Sequence, residues 1–160
     1  MATDMFIKID KIPGEAKGAG HEGQIDVLAW SWGMSNSGSA HAGPGSGSGK
    51  ANFQDLSFTK YVDKASAVLM GHCAKGTHIA SADLYVQKAG DKPVEYIKIT
   101  LNQVLVTSLS TGGSGGEDRL TENVTLNFAK FAIDYKGQKA DGSAEAAVKF
   151  GFDISVNKAV

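Results

Sequence analysis

Apolar side chains recur at every second position along most of this chain, and only one short stretch changes to a helical repeat. Ala80, Ala82, Leu84 and Val86 share a parity within Ile79–Lys88, and Ile97, Ile99, Leu101 and Leu105 do so within Val94–Leu109. A first strand is expected at Met5–Ile9, closed by Pro13-Gly14, and a last one at Val148–Val156. Successive side chains on a strand point to opposite faces, so each run buries one face and wets the other. The exception lies after Tyr61. Asp63 suits an N-cap, Ala65, Val68, Leu69, His72 and Cys73 form one helical stripe, and Gly76 stands where a C-terminal cap belongs. Many strands with turn signals between them and one helix imply an antiparallel barrel or sandwich.

One strand carries a fault in its rhythm. In Leu120–Lys136, Val124, Leu126 and Phe128 are in phase, whereas Phe131, Ile133 and Tyr135 fall on the opposite parity. A β-bulge near Ala129–Lys130, adding one residue and bending the strand, is the simplest cause. Bends of that kind help a sheet to curl.

The segment Gln24–Ser35 (QIDVLAWSWGMS) is the most strongly patterned. Leu28, Trp30, Trp32 and Met34 share one parity and are expected in the core. Val27, Ala29, Ser31 and Gly33 share the other, and this small face is left for water, a closely approaching backbone or cargo. A connection without periodicity follows, Asn36–Lys50 (NSGSAHAGPGSGSGK), before strand character resumes in Ala51–Tyr61. Connections of that length are functional or disordered more often than not, and this one has no large side chain with which to build a core. A second glycine-rich connection, Ser110–Arg119, ends in Glu117-Asp118-Arg119, and Lys139–Ala147 reads as an exposed turn.

At 160 residues the chain fits a single domain, 1–160, able to bury a substantial core. Net charge is −1 with both signs interspersed, which leaves no electrostatic footprint for nucleic acid or an anionic membrane. No run is long enough to cross a bilayer as a helix, so no membrane insertion is expected. The N-terminus MATDMFIKID lacks the apolar stretch of a secretory signal, and the one cysteine, Cys73, fits a reducing compartment.

Motifs for chemistry fail on inspection. A phosphate-binding loop would need glycine at Pro44, Ser or Thr at Ala51, and a helix after Lys50 rather than a strand. Gly112-Gly113-Ser114-Gly115-Gly116 does satisfy G-x-S-x-G. A nucleophile elbow needs a strand-to-helix turn, however, and Ser114 falls between two strands. His21, His41, His72 and His78 show no metal-ligand spacing, so neither metal nor cofactor is expected. Trp30 and Trp32 could line a sugar platform in a monomeric ligand-binding barrel, but their parity with Leu28 and Met34 favours packing. Nothing assembles a nucleophile, a base and an oxyanion site, and the chain reads as a non-enzyme.

Strings spread over nearly the whole chain carry a resemblance. MFIKID, Gly20-His21-Glu22 followed by IDVLAWSWGMS, DLSFTKYVDKAS, KAG at 88–90, VEYIKITL and STGGSGGEDRLTENVTLNF, with DYKGQKADG after them, strongly resemble the haemolysin-coregulated protein (Hcp) family, the tube proteins of bacterial type VI secretion systems. The resemblance implies a mainly β fold: a small antiparallel β-barrel with one flanking α-helix, like phage tail tube proteins, assembling into hexameric rings. It implies rings stacked into a tube driven out with its spike by a contractile sheath, small secreted effectors riding in the lumen, synthesis in the bacterial cytoplasm, and export without a signal peptide. On that frame Ala29, Ser31, Gly33, Thr125 and Asn127 are candidates for the lumen wall. Ser39, His41, Gly43, Pro44, Gly45, Gly47, Gly49 and Lys50 are candidates for contact with the next ring or subunit. Glu117, Asp118 and Arg119 form either a solvated cluster or an ionic contact between subunits.

Overall fold

The computed structural model describes residues 3–38, 41 and 50–160. Strands β1 (Thr3–Ile9), β2 (Ile25–Ser31), β3 (Met34–Ser35), β4 (Asn52–Phe53) and β5 (Leu56–Tyr61) precede helix α1 (Ala65–Lys75). After it come β6 (Ile79–Lys88), β7 (Val94–Thr111), β8 (Thr121–Tyr135), β9 (Val148–Asp153) and β10 (Lys158–Ala159). The order β8-β5-β2-β1-β6-β7 closes because β7 also pairs β8, and β9 and β10 extend the sheet beyond β8. Every pairing is antiparallel. Barrel, rather than sandwich, is the outcome, although β2 after Asp26 pairs only β5, and β7 after Val104 pairs only β8.

The interior is filled by side chains, among them Ile7, Ile25, Leu56, Phe58, Leu84, Ile99, Leu101, Leu126 and Phe131. The turn between β1 and β2 folds back on itself through Gly14 N–H to Gly23 O (2.8 Å) and Ala16 N–H to Gln24 O (2.8 Å). A β-carbon at Gly14 would stand 2.5 Å from the Gln24 carbonyl oxygen, so glycine is required there. His21 anchors the same turn, its ring stacked 4.5 Å from that of Phe6.

Helix α1 stops at Gly76 as expected, but its cap position is Lys64, one residue after Asp63. The Asp63 carboxylate accepts from Ala65 N–H at 2.9 Å, and Gly76 closes the helix in the left-handed region at φ 64°. Its buried side is Ala65, Ser66 and Leu69, with Cys73 half-buried against the core, while Val68 turns to solvent. The helical stripe is therefore narrower than the spacing suggested.

Several strand readings need correcting. In β2 the bulky parity is not uniformly core: Trp30 and Trp32 pack against it, but Leu28 and Met34 are exposed and Val27 is buried. A bulge between Val27 and Ala29 changes which parity faces inward, so Ile25 and Val27 point in before it and Trp30 after it.

In β8 the phase changes where expected, between Phe128 and Phe131, but no residue is added. The register with β7 runs unbroken from Asn102↔Lys130 to Val104↔Phe128. The partner strand changes phase at the same level, from Ile99 and Leu101 to Val104 and Val106, through Gln103 at φ 53°. The ribbon twists over as a pair at that point, and β8 passes from pairing β5 to pairing β9. The bulge of this ladder sits elsewhere, between Val106 and Ser108. A similar phase change leaves Ala80 exposed and Ile79 buried in β6.

Candidate assembly and cargo surface

The outward face of β2, β5, β8 and β7 is built from small polar side chains laid in register. One row runs Ser31, Ser57, Thr125, Ser108, and the next runs Ala29, Thr59, Asn123, Ser110. Partners opposite one another on antiparallel strands share a face, so these rows form a continuous wall. The row between them, Trp30, Phe58, Val124, Leu109, points into the barrel. Alternation thus separates bulk from smoothness within the same four strands.

Many of the wall's polar groups bond to each other. Thr59 Oγ1 donates to Asn123 Oδ1 at 2.6 Å, and Thr107 and Thr125 hydroxyls lie 2.7 Å apart. Asp55 stands at its margin, accepting from Thr107 Oγ1 at 2.7 Å and Asn127 Nδ2 at 2.9 Å. Neither of the two rows carries a charge. Such a surface is wettable yet gives a passing protein no apolar anchor and no unpaired charge to hold.

Four of the five lumen candidates come together here: Ala29, Ser31, Thr125 and Asn127. Gly33 does not, because it lies past the end of β2 beneath Gln54, whose N–H bonds its carbonyl at 3.0 Å. Ser57, Thr59, Asn123, Ser108 and Ser110 belong to the wall and were missed from sequence. Their signal was available as the off-parity of Leu56, Phe58, Val124 and Leu126.

Behind the wall lies a group that periodicity could not reveal. Lys60 and Glu122 sit at inward positions of β5 and β8, fully buried and paired with each other. The Lys60 ammonium also lies 2.9 Å from Asp63 Oδ1 and donates to Ser66 Oγ at 3.1 Å. Ser66 Oγ also bonds Glu122 Oε1, and among the described residues Glu122 Oε2 is buried without a partner. The cluster ties the start of α1 to β5 and β8.

The long connection is rooted on the hairpin β3–β4. Trp32 Nε1 donates to Gln54 O at 2.8 Å across it, and the ring of Phe53 lies 5.4 Å from Phe131 and 5.3 Å from Phe152. Of the loop candidates, His41 and Lys50 are exposed. Ser39, Gly43, Pro44, Gly45, Gly47 and Gly49 lie outside the described residues.

Glu117 and Asp118 are exposed in the β7–β8 connection, whereas Arg119 turns back so that its guanidinium covers the Tyr61 ring at 3.7 Å. Arg119 also acts on Asp26, whose carboxyl is raised from its ordinary value by partial burial and drawn partly back by that positive charge. Ser114 lies in the same connection, which runs strand to strand rather than strand to helix. Among the described residues no three His, Cys, Asp or Glu side chains are grouped to hold a metal ion, and no helix is long and apolar enough to cross a membrane.

The sheet has an open margin at β9. β10 covers β9 only at Asp153 and Phe152, with Val160 N–H reaching Gly151 O, so the outer edge over Val148–Phe150 has no strand beside it among the described residues. Val148 is 70% exposed, Phe150 47% and the adjoining Tyr135 42%.

A sequence model of the family described as "Type VI secretion system effector, Hcp" matches residues 6–135. Protein hcp1 of Pseudomonas aeruginosa is 64% identical over 159 residues, spanning 98% of both chains. A solved type six secretion system protein superposes with a TM-score of 0.92 at 30% identity, covering 99% of this chain and 100% of its own. Hcp1 from Salmonella typhimurium gives 0.80 at 32% identity, with both chains covered in full. The resemblance drawn from the strings is borne out, and the chain belongs to the Hcp family of type VI secretion system tube and secreted proteins.

Proposed function

We propose that this protein closes into six-membered rings whose bore is lined by the wall of β2, β5, β8 and β7, and that small secreted effectors travel in that bore. The wall carries the reading: four strands present Ser, Thr, Asn and Ala outward in register, with several of their polar groups bonded to one another. A bore needs such a surface, which stays wet, admits a folded passenger and releases it. The open edge of β9, with Val148 and Phe150 exposed, suits the contact with the neighbouring copy that closes the ring. A monomeric ligand-binding barrel is disfavoured because the interior is packed with side chains and both tryptophans serve that packing.

The 36–50 connection is assigned to contact between rings, along with Glu117 and Asp118 as charges available to a neighbouring copy. Stacking has to be weak enough for a spent tube to come apart. If each copy gave about 1–2 kcal/mol, six would sum to roughly 6–12 kcal/mol less the cost of ordering, enough at high local concentration. The protein acts by assembly rather than catalysis, is made in the cytoplasm, and leaves through the secretion machine, driven out with its spike by the sheath. Sedimentation should give a particle about six times the 16.7 kDa chain, annular under negative stain. Ser31→Trp should leave rings intact and lower co-purification of a small effector about fivefold. Undiminished retention would remove Ser31 from the bore. Cutting the 36–50 connection to a tight turn should keep rings and abolish tubes, and normal tubes from that variant would end the stacking role.

A further inference from the structure

One aromatic cluster joins the hairpin root β3–β4 to the free edge of β9. The hairpin has two residues in each strand and lies outside the main sheet, so side chains rather than a ladder position it. Phe53 is its wedge, 5.4 Å from Phe131 and 5.3 Å from Phe152, while Trp32 closes on Phe131 at 4.8 Å. Phe131 is fully buried and sits just past the level where β8 exchanges β5 for β9. On its other side Phe150 lies 6.0 Å away.

The geometry continues outward. Val148, Phe150 and Phe152 alternate on β9 and share a face. Phe152 is half-buried under Phe53, Phe150 is 47% exposed and Val148 70%. The hairpin root therefore lies over the inner end of an apolar strip whose outer end is the open edge. Phe150 belongs to both: part of its ring packs on Phe131 and Phe152, and part is left for a neighbour.

We propose that this cluster couples the two ends of the strip, so that the position of the β3–β4 root sets how Phe150 is presented at the β9 edge. The inference rests on the assembly reading above for its consequence, a link between end-to-end and side-to-side contacts of a ring, but not for its mechanics. Close-packed rings do not deform continuously. A shift of Phe53 moves Phe131 and Phe152 together, and both bear on Phe150. By linkage the effect is reciprocal: fixing Phe150 against another copy steadies the hairpin that carries the long connection.

The test needs a change at the root that leaves the edge untouched. Phe53→Leu keeps an apolar side chain and removes the ring. It should speed hydrogen exchange of the β9 amides bonded to β8 and weaken ring formation about fivefold, measured by sedimentation below the concentration at which rings stack. In a Phe131→Leu background, with Phe131→Met as the substitute should that variant fail to fold, the further effect of Phe53→Leu should shrink below about twofold. Wild-type exchange on β9 in Phe53→Leu overturns the proposal, as does an effect of equal size in both backgrounds. Should the wild-type chain form no rings, the assembly reading falls, while exchange on β9 still decides the coupling.

Discussion

The wall of β2, β5, β8 and β7 and the edge of β9 belong to one sheet and follow opposite rules. The wall shows small groups, several of them hydrogen-bonded to one another, and its two middle strands, β5 and β8, are paired with their wall neighbours on both sides. The edge shows Val148 and Phe150 beside backbone that no strand covers among the described residues. A surface of the first kind is stable in water by itself, whereas the second gains by pairing with another chain. In the assembly proposed above, adhesion would be confined to a margin and kept off a face. A tube that held together sideways and let its contents pass would require that division.

The largest expected effect tests what backs the wall. Lys60→Met strands the buried Glu122 and Asp63 carboxylates directly behind it. Breaking a buried pair by removing one partner costs about 3–5 kcal/mol, so denaturant unfolding should show a stability loss of that order, read as a lower midpoint with little change of slope. A loss below about 1 kcal/mol would mean the cluster is solvated and the wall needs no such backing.

Next comes the edge. Val148→Asp with Phe150→Asp places two charges where a neighbouring copy would dock, on side chains that already meet solvent. Each contact between neighbouring copies should weaken more than about hundredfold, roughly 2.7 kcal/mol or more, while the chain stays folded by circular dichroism. Ser31→Trp on the wall should leave that association unchanged. If the wall substitution broke rings and the edge substitution did not, the two assignments would have to be exchanged.

How far the sequence discloses this division depends on which force sets each element. Strand existence, the single helix between Asp63 and Gly76, and the phase change after Phe128 are written locally, in alternation and cap residues. The parity of β2 is not. Alternation predicts that Leu28 follows Trp30 inward, but the bulge at Val27/Ala29 is imposed by pairing with β5, a contact distant in sequence. The twist at Gln103 likewise involves two strands at once, so inspection of β8 alone suggests an added residue where there is none. The wall is half legible: Ser31 and Thr125 stand out, but only register shows that Ser57 joins them. Lys60 is the least legible, since a lysine in an apolar phase reads equally well as a strand end, and its partners come from β8 and from the residues that open α1.

The smallest effect concerns the charged margin of β2, below the bulge that separates Asp26 from the wall. Partial burial raises the Asp26 carboxyl above its ordinary value, with Arg119 opposing. A carboxyl raised in the folded state adds stability that is fully present below its unfolded value, near 3.9, and lost as pH climbs through the folded one. At neutral pH its ionised form is thus a mild burden, which Asp26→Asn should relieve. Because the group is largely solvated, the gain should be within about 0.5 kcal/mol, seen as a wild-type stability that falls relative to the variant just above pH 4. Equal pH profiles for the two proteins would mean that Arg119 fully offsets the burial. The guanidinium would then be an electrostatic partner of β2 as well as a cover for Tyr61, and Arg119→Ala should open the difference that Asp26→Asn failed to show.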